Sequence, residues 1–261
     1  MSELPVHGRL VWYELLTSDM KAAEAFYGAV VGWTFSRFDG VPFPYDAILP
    51  ASGQSIGGVM TLPDGMGFPP HWEMYVAVSN FDDAVKQIET RGGHGLSPGM
   101  EVEGVGKFRT MVDPQGAVFA IIQPASSEQS PEVAPVDGQV AWHELYTTDA
   151  PAALAFYSEL FGWKDTGSFD MGGAMGSYYM FGRAFPLGGI MNKPDDLAQV
   201  PPNWGLYFRV SDINAGAERV KANGGQILNG PLEVPGGDWI VNCLDPQGAA
   251  FSLHQTSKAE A

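Results

Sequence analysis

The chain has 261 residues, 45% of them apolar and 12% aromatic, enough for two ordinary domains or one large one, and too much for bulk disorder. A formal charge of −16 with no local Lys/Arg cluster argues against a nucleic-acid partner and reads first as solubility, and no apolar run spans a bilayer. The single Cys243 excludes an internal disulfide framework, and the opening MSELPVHGRL has neither a basic nor an apolar leader, so the cytoplasm is the expected location.

Leu10 to Leu16 alternates like a half-buried strand. Thr17-Ser18-Asp19 is a helix start signal, and Ala22, Ala25, Phe26 and Val30 follow at helical spacing. Short β-like runs bounded by Gly and Pro come next, at Tyr45 to Leu49 and Ile56 to Leu62. The order then restarts with an alternating strand through Met74, Val76 and Val78. Asn80 and Asp82 open a helix that Gly92-Gly93 closes. Phe108 to Val112 and Ala117 to Gln123 flank Asp113-Pro114-Gln115-Gly116, where Pro presets φ and Gly permits a tight return. Strand–helix–strand–strand–strand is thus written twice before residue 124.

The whole pattern then recurs. Gly8 to Trp33 lies over Gly138 to Trp163 at an offset of 130 without a gap, sharing Trp-x-Glu-Leu, Thr-x-Asp, Ala-Phe-Tyr and Gly-Trp. His71 to Gly93 lies over Asn203 to Gly225 at an offset of 132, which holds through Val112 to Gln123 and Leu244 to Gln255. Between the copies runs PASSEQSPEVAPVDG, rich in Pro, Ser and acidic residues. The expected division is a first domain over residues 8–123, a linker over 124–137 and a second domain over 138–255.

Paired units of this kind, with FY…GW closing a helix and DPxG turning the last hairpin, resemble the vicinal oxygen chelate superfamily. Its members include glyoxalase I, bleomycin-resistance proteins and extradiol dioxygenases. The tandem form with Trp-x-Glu-Leu in its first strand also looks like that superfamily's fused two-domain antigen and hydroxylase-like proteins. The resemblance runs from about Gly8 to Gln255. It implies an α+β fold of two tandem domains, each of two βαβββ modules whose mixed sheets curl around a cleft. It says little about the reaction, because one scaffold carries many chemistries.

The resemblance also implies metal-ligand positions on the first and last strands of the modules. Here these fall on Trp12 and Trp142, within Gly57 to Met60 and Gly188 to Met191, on Glu73 and Gly205, and on Ala120 and Ser252. An indole nitrogen is a donor only. At most Glu73 is retained, so the expectation is no metal at the usual position and no other cofactor.

Residues two apart on a strand share a face, so Trp12 goes with Glu14 and Trp142 with Glu144. Facing them in the first copy would be Glu73, Tyr75, Ala120 and Ile122, and in the second Gly205, Tyr207, Ser252 and His254. Candidate ligand contacts are therefore Trp12, Tyr75, Trp142, Tyr207 and Ser252; candidate catalytic groups are Glu14, Glu73, Glu144 and His254. Glu14 and Glu73 in one apolar cleft would repel, favouring one protonated partner and an acid–base pair. The competing reading makes each Trp-x-Glu a packing device whose carboxylate accepts a hydrogen bond from indole or backbone. Trp33 and Trp163 read as core, and Phe26, Tyr27, Phe156 and Tyr157 as helix packing. His143 should face the helices, His71 and His94 the solvent, and Cys243 should be a buried structural thiol.

Three functions fit. The first is a protein, binder or enzyme, that holds a small apolar or aromatic molecule without metal. The second is a metal-dependent lyase, isomerase or dioxygenase with non-standard ligands. The third is a drug-sequestering module whose acidity attracts cations. The duplication implies a monomer with an internal pseudo-two-fold, or a homodimer.

Overall fold

The structure is a computed structural model and describes residues 6–63, 65, 67–126, 132–172 and 176–257. Residues 127–131 of the expected linker, and the first five of the opening segment, lie outside it.

The first half runs β1 (Leu10–Thr17), α1 (Met20–Val31), β2 (Thr34–Arg37), β3 (Tyr45–Leu49), β4 (Gly57–Thr61), β5 (His71–Ala77), α2 (Phe81–Thr90), β6 (His94–Gly95), β7 (Met100–Val102), β8 (Gly106–Val112) and β9 (Val118–Pro124). The second runs β10 (Val140–Thr147), α3 (Ala150–Phe161), β11 (Lys164–Asp170), β12 (Ser177–Gly182), β13 (Pro186–Asn192), a 3-10 turn (Asp195–Leu197), β14 (Asn203–Arg209), α4 (Ile213–Ala222), β15 (Gln226–Glu233), β16 (Trp239–Leu244) and β17 (Ala250–Gln255).

The fold is α+β, with one curled mixed sheet per half. Strand order is β2-β3-β4-β1-β5-β9-β8-β6 in the first, with β7 on β8, and β11-β12-β13-β10-β14-β17-β16-β15 in the second. Within every module the first strand pairs in parallel with the last: β1 with β4, β5 with β9, β10 with β13, β14 with β17. A parallel pair needs a crossover, and the helix begins it.

Asp19, Asn80, Asp149 and Asp212 cap the four helices, each accepting a backbone N–H three residues on at 3.0–3.1 Å. Helices α1 and α3 end at Gly32 and Gly162, whose φ of 85° and 68° gives the left-handed cap. Two features depart from the sequence reading. Strand β2 pairs with β3 although its exposed Thr-Phe-Ser-Arg shows no apolar alternation. In the second module the second strand, the one after the helix, is split into β6 and β7 around Ser97-Pro98-Gly99, where Pro has no N–H to donate.

Contacts divide the chain into two compact units, each taking one module from each half. The first comprises Met1–Trp12, Glu73–Ala134 and His143–Trp204; the second comprises Tyr13–Trp72, Pro135–Trp142 and Gly205–Ala261. In the first unit the Tyr157 hydroxyl donates to Asp113 Oδ2 (3.0 Å) and accepts from Trp204 Nε1 (3.1 Å), while Trp163 Nε1 donates to the Gly8 carbonyl (2.7 Å). In the second the Tyr27 hydroxyl donates to Asp245 Oδ2 (3.2 Å) and accepts from Trp72 Nε1 (3.0 Å), while Trp33 Nε1 donates to the Gly138 carbonyl (2.7 Å). Both tyrosines are buried, which raises their pKa well above the ordinary phenol value and keeps them donors. The Tyr of Phe-Tyr, the Trp of Gly-Trp and the Asp of Asp-Pro-x-Gly are therefore joined across the repeat. Edge-to-face rings fill the space around them: Trp72, Phe208 and Phe251 around Tyr27, and Phe119 and Trp204 around Tyr157.

Candidate functional site

In the second unit, β14, β16 and β17 assemble a polar group of side chains. Ser252 on β17 pairs with Tyr207 on one side and Asn242 on the other. Asn242 Nδ2 donates to Ser252 Oγ (2.8 Å) and to the Tyr207 hydroxyl (3.3 Å). His254, two residues along the same face, has Nε2 2.8 Å from Asp238 Oδ2. The Ser257 N–H holds Asp238 through Oδ1 at 2.7 Å. Trp142 belongs to this unit too, half-buried on β10, the strand beside β14.

The equivalent seats of the first copy, in the first unit, are apolar. Tyr75, Ala120 and Ile122 form a buried cluster against Val11, Trp12, Val105 and Phe108. Register equates Ala120, Ile122, Thr110 and Phe108 with Ser252, His254, Asn242 and Ile240. One copy packs hydrocarbon at Ala120 and Ile122 where the other places a hydroxyl and an imidazole, and Thr110 takes the seat of the Asn242 amide.

The carboxylates are arranged differently. Glu144, buried in the first unit, accepts from the Tyr146 hydroxyl (2.5 Å) and the Tyr178 hydroxyl (2.9 Å). Its carboxylate is tied by internal donors that are phenols, where the packing reading of Trp-x-Glu expected indole or backbone. Glu14 is buried in the second unit and Glu73 in the first. The sequence reading missed Tyr146, Tyr178, Asn242 and Asp238. A signal for Tyr178 was present in Gly188-Gly189, because a Cβ on Gly189 would enter the Tyr178 ring. In the second unit Tyr45 stands against Gly58 in the same way.

The remaining titratable candidates are core or surface. His143 is buried, its Nδ1 2.8 Å from the Leu187 carbonyl, and desolvation lowers its pKa to about 4. Cys243 is a buried free thiol that desolvation pushes up to about 12, unsuited to nucleophilic work. His94 is exposed, and His71 is half-buried with Nδ1 2.8 Å from the Pro69 carbonyl. Trp33 and Trp163 are core. An open cavity of about 540 Å³ lies elsewhere in the second unit, beside the surface ion pairs of Lys21 with Glu24 and Asp46.

Comparison with known proteins places this geometry. The family described as "Glyoxalase/Bleomycin resistance protein/Dioxygenase superfamily" matches residues 139–253, and "Bleomycin resistance protein-like N-terminal" matches residues 9–42. The chain is 31% identical over 250 residues to "Putative glyoxylase CFP32" of Mycobacterium bovis, covering 93% of this chain and 92% of that protein. The chain belongs to the glyoxalase/bleomycin resistance protein/dioxygenase superfamily. Within this superfamily it is also 30% identical over 261 residues to "Anthracycline biosynthesis protein DnrV" of Streptomyces peucetius, covering 94% and 92% of the two chains. A solved superfamily fold, the Mn(II)-bound glyoxalase from Novosphingobium aromaticivorans, superposes with a TM-score of 0.62 at 17% identity, over 98% of this chain and 84% of that one.

Metal-binding members of the superfamily need several convergent N, O or S donors. The seats expected to supply them carry Trp12, Trp142, Ala120, Ser252 and Gly205 here, with no carboxylate or imidazole within Gly57 to Met60 or Gly188 to Met191 and Glu73 as the lone carboxylate. Among the described residues no group of three or more His, Cys, Asp and Glu is placed to hold an ion. No described helix is long and apolar enough to cross a membrane.

Proposed function

We propose that the chain binds a small aromatic molecule at the second-copy site built on Trp142, Tyr207, Ser252 and His254, without the divalent ion used by metal-binding relatives. The observation that carries this reading is the divergence of the copies, apolar at Ala120 and Ile122 but polar and hydrogen-bonded at Ser252 and His254. Aromatic walls with a few convergent polar groups suit a flat organic ligand. The DnrV name makes an anthracycline the first ring system to test. A net charge of −16 would also concentrate a cationic drug near the protein, which favours sequestration as the second reading.

Fluorescence titration with an anthracycline, before and after dialysis against a chelator, tests both parts. Trp142→Ala should weaken binding about tenfold, the loss of one aromatic contact. Trp12→Ala, the same seat in the first copy, should leave it unchanged, and chelation should have no effect. An absence of binding, an equal loss in the two variants, or a divalent ion whose removal abolishes affinity rejects the proposal.

A further inference from the structure

The open cavity of about 540 Å³ in the second unit lies on the helix side of its sheet. Asp46 follows Tyr45, which stands against Gly58, and strand alternation turns the Asp46 side chain to the opposite face, toward Lys21 on α1. Four charged groups gather there. Lys21 Nζ lies 2.8 Å from Glu24 Oε2 and 3.4 Å from Asp46 Oδ2, and Arg37 Nη1 lies 3.7 Å from Asp46 Oδ1. Phe35 and Pro44 add apolar wall to the same cavity.

The charges are layered. The Lys21 and Arg37 side chains are 80% and 49% exposed, those of Glu24 and Asp46 only 13% and 9%. Exposed cations return little to an ion pair, whereas drawing carboxylates out of water is costly. Burial raises the Glu24 pKa, and the Asp46 carboxylate beside it adds to the rise. Glu24 Oε1 is buried without a hydrogen-bond partner among the described residues. The floor of the cavity is therefore short of donors. The fold does not require this arrangement. Repeat offset and strand register put Pro151, Leu154, Ser168 and Tyr179 in the seats of Lys21, Glu24, Arg37 and Asp46. The second copy forms the same helix and strands with none of the four charges.

We propose that this cavity binds a free α-amino acid with an apolar side chain. Only an ion-pair distance separates the acidic floor from the basic mouth, and an α-amino acid carries both opposite charges on one carbon. Lys21 stands between the two carboxylates on a flexible, exposed stem. The ligand ammonium takes its place there, and the ligand carboxylate lies between the released Lys21 and Arg37. The apolar side chain rests on Phe35 and Pro44.

The test is isothermal titration calorimetry of the full chain with L-leucine, with L-leucinamide, which lacks the carboxylate, and with 4-methylpentanoate, which lacks the ammonium. The wild-type chain should bind leucine about tenfold more tightly than either analogue, the loss expected for a charge-assisted contact. Arg37→Ser should cut the preference over leucinamide about threefold, and Glu24→Leu the preference over 4-methylpentanoate by as much, since Lys21 or Asp46 remains as second partner. Each change installs the residue of the second copy, and if one variant fails to fold the other decides. An absence of leucine binding, equal affinity for the three probes, or a preference unmoved by its substitution overturns the proposal. No probe contains an aromatic ring, so such a result would leave the aromatic-binding reading standing.

Discussion

His143 and Tyr13 occupy one seat in the two copies, and the neighbouring strands have adjusted to the difference. Phe181 lies by Gly188 in the copy with the smaller imidazole, and Ile48 lies by Gly57 in the copy with the larger phenol. Burial holds the His143 pKa near 4, against an ordinary 6.5. The unfolded chain therefore takes up this proton below about pH 6.5, and the native chain only near pH 4. Stability from His143 is complete above pH 6.5 and is lost as pH falls from 6.5 to 4, by about 3 kcal/mol at most. Urea unfolding at pH 7 and pH 4.5 should show a smaller acid loss in His143→Asn than in the parent chain; equal losses would refute the assignment. That this histidine faces away from Glu144 followed from strand alternation alone. The partners of Glu144 did not, because Tyr178 lies on β12, which reaches β10 through β13, a register that local spacing does not encode.

Among the secondary-structure elements, the helices were the most legible part of the fold. Start signals at Asp19 and Asn80, and their copies at Asp149 and Asp212, are local chemistry: a short side chain meeting an N–H three residues on. Asp212→Ala should cost about 1 kcal/mol, read as a shift in the denaturation midpoint with an unchanged slope. An effect below about 0.3 kcal/mol would mean that packing, not the cap, fixes the start of α4. Alternating strands were legible for the same reason. The edge strand β2 was not, since its side chains are largely exposed and its pairing rests on backbone bonds to β3. The apolar first-copy cluster and the polar second-copy site were readable as residue types; the Asn242 bridge and the Asp238 brace come from β16 and the turn before it, and needed the register.

For the whole molecule, the duplication was plain in the sequence, but the way the copies use one another was not. Similarity between repeats does not say which Asp each Tyr reaches. In the second unit Tyr27 reaches Asp245, Trp33 reaches Gly138, and Arg219 Nε donates to the Val30 carbonyl. Each of these bonds joins residues from opposite halves of the chain. Residues 6–126 and 132–257 produced as separate chains should each lack the partners of buried polar groups, which are costly to leave unmet. Circular dichroism and size-exclusion chromatography should show each fragment unfolding at lower urea than the intact chain or self-associating, and a mixture recovering one well-folded complex. Two separately stable monomeric fragments would contradict this.

The reach of the Phe-Tyr, Gly-Trp and Asp-Pro-x-Gly side chains into the opposite copy also sorts the residues available for redesign. The Tyr, Trp and Asp of these motifs are committed to joinery, and changing one loosens its counterpart in the other copy. The hydrogen bonds linking Ser252 and His254 to their braces Asn242 and Asp238 stay, among the described residues, within their own copy. Their chemistry can be retooled toward another guest molecule while the seam between the copies stays intact.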